Sequence, residues 1–279
     1  MNKMEDRFLF FDIDGTLMSH KTNCIPESTK EAVKKAQDNG CKVFIASGRP
    51  YFEIKMDYGF QPDGYLFSSG AGFEVNDKVI LNRTFNQQLL KDIINKAEEC
   101  GIGFHLLGSD KGYCNEIQRK FFESMLEKAP REIRKAMTTS DFFQKGNHPL
   151  EEFNGQDIHK FNALFVEGCK KQEFLDYVND KTTVVLYNSQ DLEHDSAEIS
   201  PIDVNKGTGV LMVVTHYHGD MDNSYAFGDS MNDYEMIKEV KHGVVMGNGH
   251  QDLKDIAEFV TTDIDEDGIA NALKHYNLI

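Results

Sequence analysis

The chain has 279 residues, 40% of them apolar and 27% charged, with a net charge of −16. That length and composition suit one large or two medium globular domains with a sizeable core. The acidic balance argues against nucleic acid or an anionic membrane as the main partner, and no apolar stretch is long enough to span a bilayer. Five scattered cysteines without a C-x-x-C pair point to reduced thiols and a cytoplasmic protein rather than a disulfide framework or a zinc site. The charged N-terminus, Met1 to Arg7, lacks a signal-type apolar region.

Phe8-Leu9-Phe10-Phe11 is a continuous apolar run of the kind that forms a strand buried on both faces. It runs straight into Asp12-Ile13-Asp14-Gly15-Thr16. Two carboxylates at the end of a core strand are costly to desolvate without a cation or a shared proton. Mg²⁺ meets that need, because it is held by carboxylates, water and substrate phosphate. One acid can attack phosphorus while the other gives and takes protons. Gly15 permits a positive-φ bend, and Thr16 is expected to bond the exposed backbone there.

Further along, Glu27 to Asn39 reads as a helix introduced by Pro26 and stopped by Gly40, and Cys41 to Ala46 as a second buried strand. That strand ends in Ser47-Gly48-Arg49-Pro50, which alone is an ordinary turn. A strand near Tyr65 to Ser68 leads to Ser69-Gly70-Ala71-Gly72, and a hairpin turning at Asn76-Asp77 follows. A new pattern begins near Thr84. Gln87 to Cys100 is an amphipathic helix closed by Gly101, Ile102 to Leu107 a strand, and Glu116 to Lys128 and Arg131 to Met137 are helices. Ser140 to Gly155 is poorly patterned and reads as loop. Phe161 to Val166, Thr182 to Tyr187 and Ser196 to Ser200 read as strands, with a helix over Lys171 to Asn179. This middle region has the size of its own small domain.

The last third returns to the first style. Lys206 to His218 is helical. A short strand, Tyr225 to Phe227, ends in Gly228-Asp229-Ser230-Met231-Asn232-Asp233, whose Asp229-Ser230 could also simply cap the next helix. Helix Tyr234 to Val240, strand Gly243 to Met246, helix Asp252 to Glu258, strand Phe259 to Thr261 and helix Ile269 to Tyr276 complete the chain. Alternating strands and helices predict an α/β fold, a mostly parallel, doubly wound, Rossmann-like sheet.

Parallel strands present their carboxyl ends on one rim, so Asp12, Asp14, Ser47, Gly48, Asp229 and Asp233 can converge there. In this arrangement Asp229 is a further oxygen donor to the metal. Asp233 braces the metal shell or the site lysine. Ser47 and the Gly48 N–H hold phosphoryl oxygens, and Lys206 supplies a cation. The Asp265-Glu266-Asp267 run reads as a solvated acidic turn.

Asp12-Ile13-Asp14-Gly15-Thr16, Ser47-Gly48-Arg49, Asn205-Lys206-Gly207 and Gly228-Asp229-Ser230-Met231-Asn232-Asp233 resemble the four ordered motifs of the haloacid dehalogenase superfamily. With Met246-Gly247-Asn248 and Asp265-Glu266-Asp267-Gly268, the chain resembles its Cof-type sugar-phosphatase branch. The resemblance implies Asp12 as a nucleophile forming an aspartyl-phosphate and Asp14 as general acid and base. It implies Mg²⁺ on Asp12, the Asp14 backbone carbonyl and Asp229. Phosphate would be held by Ser47, Lys206, Asn232 and backbone N–H groups near Ile13 and Gly48. Residues 1–83 and 201–279 would form the core, and 84–200 a C2B-type α/β cap closing over a small phosphorylated metabolite. The chain departs from the pattern at Ser69-Gly70-Ala71, where relatives often carry Asn-Gly-Ala. In the cap, His105, Tyr113, Tyr187 and His194 are candidates for substrate contact. A phosphomutase or phosphotransferase of the same superfamily is the enzymatic alternative, and a binding protein without turnover is the non-enzymatic one.

Overall fold

The computed structural model describes residues 6–187 and 194–279. It forms two compact units, one of residues 1–48, 56–81 and 205–279 and one of residues 49–55 and 82–204.

The first unit is built on an eight-stranded sheet. Its strand order is Phe259–Val260, His242–Val245, Ser224–Gly228, Arg7–Phe11, Cys41–Ala46, Gly64–Phe67, Gly72–Val75 and Lys78–Asn82. The first six strands are mutually parallel, and Gly72–Val75 returns antiparallel. From Arg7–Phe11 the chain winds one way through Cys41–Ala46 and later the other way through Ser224–Gly228. The topological switch point therefore lies between Arg7–Phe11 and Ser224–Gly228, where open α/β sheets open their ligand crevice. Phe8, Leu9, Phe10 and Phe11 are fully buried, as a strand covered on both faces requires. Phe8 and Phe10 share a core with Phe44 of the neighbouring strand Cys41–Ala46 and with Val210, Val213 and Met236 from the helices Lys206–His216 and Tyr234–Glu239. A second helix pair, Glu27–Asp38 and Gly268–His275, packs together. Asn76 and Asp77 both have positive φ, which turns the hairpin as read.

The second unit has a six-stranded sheet in the order Thr182–Tyr187, Asp195–Pro201, Ile158–Phe165, Gly103–Gly108, Gly112–Cys114 and His148–Pro149. Its pairs are antiparallel except the last. One face packs on the helices Gln87–Glu99 and Lys171–Val178, through Leu90, Ile93, Phe104, Phe161, Phe174 and Val178.

Several elements differ from the sequence reading. The expected loop over 140–155 contains a helix, Asp141–Gly146, capped by the Ser140 hydroxyl, then the strand His148–Pro149 and a tight turn, Leu150–Glu152. These pieces are too short to show a period. The strand expected to start at Phe161 starts at Ile158, because polar His159 and Lys160 are buried inside it. The helix expected over Asp252 to Glu258 covers only Gln251–Lys254. The segment 49–55 groups with the second unit, where Phe52 lies against Gly146.

The buried histidines make the second unit acid-sensitive. Burial pushes both His105 and His159 down to about 4 from the ordinary 6.5. Each binds its proton more weakly in the folded state than in the unfolded chain. Their stabilising effect is therefore complete above pH 6.5 and is lost as pH falls toward 4, by about 3 kcal/mol each. Denaturant midpoints measured across that window are expected to fall steeply with acid. His105→Gln, which keeps a donor for the Gly146 carbonyl that His105 bonds, should remove about half of the slope. A profile flat from pH 6.5 to 4 would contradict this.

Candidate active site

The Arg7–Phe11 strand delivers Asp12 to the rim, and the Asp12 N–H donates to the Phe227 carbonyl at 3.0 Å, extending the pairing by one residue. The chain then folds into a tight loop. The Ile13 carbonyl accepts from Leu17 N–H at 2.9 Å and Met18 N–H at 2.7 Å, and Gly15 N–H donates to the Met18 carbonyl at 2.9 Å. Gly15 has φ +89°, and a Cβ there would lie 2.3 Å from the Asp229 carboxylate. Glycine is thus required twice over, by backbone conformation and by the approach of Asp229. Thr16 differs from expectation. Its hydroxyl donates to Asp229 Oδ1 at 2.8 Å rather than to backbone, tying this loop to the neighbouring strand end.

Asp229 follows the Ser224–Gly228 strand. Its N–H and that of Ser230 donate to Asp233 Oδ2 at 3.0 and 3.1 Å, and its carbonyl accepts from His250 N–H at 2.8 Å. Asn248 donates to the Gly15 carbonyl at 2.8 Å and accepts from Ile264 N–H at 3.0 Å, clamping the first loop to the last third of the chain. The sequence reading gave Asn248 no such role; its position after a short strand was the available signal.

Lys206 enters from the first residue of its helix, which Asn205 and Thr208 start with a reciprocal capping box. The turn at Ser68–Gly70 packs directly on this helix start; a Cβ on Gly70 would lie 2.3 Å from the Asn205 carbonyl. Fully buried, the Lys206 ammonium donates to Asp12 Oδ1 at 2.5 Å and to Asp233 Oδ1 at 2.6 Å.

Oxygens of Asp12, Asp229 and Asp233 thus lie within 4.8 Å of one another. Both oxygens of Asp233 are committed, one to Lys206 and one to two backbone N–H groups, which fits bracing better than metal ligation. Asp12 Oδ2 and Asp229 Oδ2 have no such commitment to Lys206 or Thr16. Asp14, two residues beyond Asp12, is exposed, and its carboxylate is not one of that cluster of three. Ile13 is buried. Ser47 is buried at the end of Cys41–Ala46, its N–H on the Leu66 carbonyl and its carbonyl accepting from Ser69. Gly48 follows it, partly buried, and Asn232 accepts from the Ser230 hydroxyl at 2.9 Å.

Charge in this cluster is unbalanced. Three carboxyls crowd one ammonium. Burial raises Asp12 to about 7 against the pull of Lys206. Burial and the nearby Asp12 charge raise Asp229 to about 8. Burial alone would lower Lys206, but Asp12 and Asp233 outweigh it and hold the amine protonated. A buried, oxygen-only donor set that resists its own ionisation fits a hard divalent cation, which would draw both carboxyls back to the ionised form.

Of the second-unit candidates, His105, Tyr187 and His194 line one cavity. Tyr113 does not; it is buried in the unit's core, with the Phe153 ring at 5.4 Å. Among the described residues no helix is long and apolar enough to cross a membrane.

Comparison with known proteins agrees with this geometry. The sequence pattern of the haloacid dehalogenase-like hydrolases matches residues 9–273. YkrA of Bacillus subtilis is 32% identical over 286 residues, covering 99% of this chain and 100% of its own. Phosphatase YwpJ of the same organism is 24% identical, covering 96% of this chain and 99% of its own. The structure of BT4131, described as a subclass IIB sugar phosphatase of the superfamily, superposes with a TM-score of 0.79 at 28% identity, covering 98% of this chain and 100% of that one. With the motif strand ends, the Lys206 contacts and a family match over nearly its whole length, the chain belongs to the haloacid dehalogenase-like hydrolases, in their phosphatase branch.

Proposed function

We propose that this phosphatase hydrolyses phosphomonoesters of small metabolites, sugar phosphates foremost, through a covalent intermediate on Asp12. The observation that carries this reading is the Lys206 ammonium shared between Asp12 and Asp233 at the switch point of the sheet, with Asp229 alongside.

An Asp12 carboxylate oxygen attacks phosphorus, and the bond from phosphorus to the ester oxygen breaks. The leaving alkoxide takes its proton from Asp14, an exposed carboxyl two residues beyond Asp12. Asp14, now a carboxylate, takes a proton from the water that attacks the aspartyl-phosphate. Inorganic phosphate leaves, and the Asp12 carboxylate is restored. Lys206 and Asp233 fix the Asp12 side chain for attack. The Lys206 ammonium, the Ser47 hydroxyl, Asn232 and the N–H groups of Ile13 and Gly48 offset charge on the phosphoryl oxygens. Mg²⁺, held by Asp12, Asp229 and the Asp14 carbonyl, would supply Lewis-acid neutralisation of that charge. We infer that the second unit is the C2B-type cap that the motif resemblance implies.

Phosphate release from a panel of phosphorylated sugars and nucleotides tests this. Release with Mg²⁺ is expected to fall below a hundredth in EDTA and to return when Mg²⁺ is restored. Full activity in chelator would refute the metal role. Phosphate passing to an added sugar rather than to water would move the reading to a phosphotransferase.

A further inference from the structure

The second unit holds a cavity of about 590 Å³, within the usual 300–1,000 Å³ of small-molecule sites. Its floor is one row of the antiparallel sheet. His105 pairs in register with Asn162, and Asn162 with Glu198. Side chains alternate along each strand, and the chain neighbours Phe104, Phe161, Ala163, Ala197 and Ile199 belong to the core that packs on the two helices. The row therefore points to the opposite face. The roof is mostly apolar, Phe121, Phe122 and Met125 from the helix Glu116–Lys128 and Phe142, with Gln118 and Lys128 of the same helix also on the lining. The His105 ring meets Phe122 and Phe142 edge-on, with centroids at 5.9 and 5.3 Å.

The floor offers acceptors. The Asn162 Oδ1 atom has no hydrogen-bond partner. Glu198 lies in the same row, its Oε1 paired with Lys160 at 3.1 Å. His105 bonds the Gly146 carbonyl through Nε2, which must carry the proton, so Nδ1 is the unprotonated nitrogen. Acceptors in a row beneath aromatic rings complement a flat ring with N–H donors on its edge. The faces stack on the roof, and the edge donates to the floor. A sugar ring brings donors but no flat face.

We propose that this cavity binds a planar nitrogen heterocycle of the nucleobase type, stacked on one of the two roof rings, Phe121 or Phe122, whose planes stand 47° apart, and donating a ring or amino N–H to Asn162. The ring can arrive as part of the phosphate ester or as a separate ligand, and the two are separable by experiment. The proposal stands on the cavity and does not depend on the chemistry at Asp12.

The chain has no tryptophan, so Phe121→Trp gives a single fluorescent reporter in the roof. It would be titrated with guanosine and uridine, with their 5′-monophosphates, and with ribose and ribose 5-phosphate. Saturable change with at least one nucleoside at millimolar concentration or below is expected, and none with ribose at tenfold higher concentration. Asn162→Leu, close in shape but without the acceptor, should weaken nucleoside binding at least tenfold. If that variant does not fold, the Met125 methyl resonance of the unmodified protein gives the same test. It should shift saturably with nucleoside and not with ribose. Tenfold tighter binding of a monophosphate than of its nucleoside assigns the ring to the ester, and equal affinity assigns it to a separate ligand. No saturable response to either nucleoside, an equal response to ribose, or unchanged affinity in Asn162→Leu would overturn the proposal.

Discussion

Asp12→Asn is expected to lower phosphate release by about 10³-fold or more while leaving the fold intact. An amide cannot attack phosphorus as a carboxylate does, and removing a nucleophile costs enzymes of this kind several orders of magnitude. The substitution is nearly isosteric. Lys206 keeps its 2.6 Å bond to Asp233, so the ammonium is not stranded. It also thins a crowded set of buried carboxyls, since the Asp12 charge is one of the causes that raise Asp229. Thermal stability should therefore hold or rise slightly. That combination separates a chemical role from a structural one, because a merely structural carboxylate would lose stability and activity together. The measurement is kcat beside the unfolding midpoint. Activity within tenfold of the unaltered protein would refute the nucleophile assignment, and a non-catalytic binding role would then gain weight.

The site was legible in the sequence for a physical reason. Buried parallel strands are continuous apolar runs, and the polar residues that end them are conspicuous. Asp12, Ser47 and Asp229 all stand directly after such runs. What the sequence withheld was pairing between side chains far apart in the chain. Thr16 reads as a loop hydroxyl, and only the approach of Asp229 makes it a clamp. Asp233 could brace either metal or lysine until both of its oxygens were located.

The second unit was harder to read. Antiparallel strands such as Ile158–Phe165 bury polar residues among apolar ones, which blurs the alternation that marks a strand. The row of His105, Asn162 and Glu198 depends on register across three strands, and no local pattern reports register. His105 and His194 stood out as isolated histidines, but their place on one cavity with Tyr187 is a property of the sheet.

Lys206→Met should be the most damaging single change to the first unit. The ammonium is fully buried and is the cation bonded to both Asp12 and Asp233. A methionine fills the same volume but leaves two buried carboxyls facing each other, with Asp229 beside them. Breaking a buried ion pair in this way costs about 3–5 kcal/mol, because the remaining charge is uncompensated. For a unit of this size that corresponds to a fall of about 10 °C in Tm. The loss should depend on pH with a definite sign. Without the ammonium, burial and mutual repulsion hold the folded-state carboxyl pKa values above those of the unfolded chain. The folded state then binds more protons, so the variant is least impaired below about pH 4 and loses stability as pH rises toward neutrality. Mg²⁺ should recover part of the loss at neutral pH and raise the Tm of the variant more than that of the unaltered protein, since it would face the same carboxyls without competition from Lys206. Turnover should stay absent even where stability returns, because a cation on the carboxyls does not replace the ammonium that holds Asp12. Thermal unfolding at pH 5 and 7.5, with and without Mg²⁺, reads all of these effects. A Tm within about 2 °C of the parent at pH 7.5 without Mg²⁺ would mean that the buried ion pair contributes little to the fold.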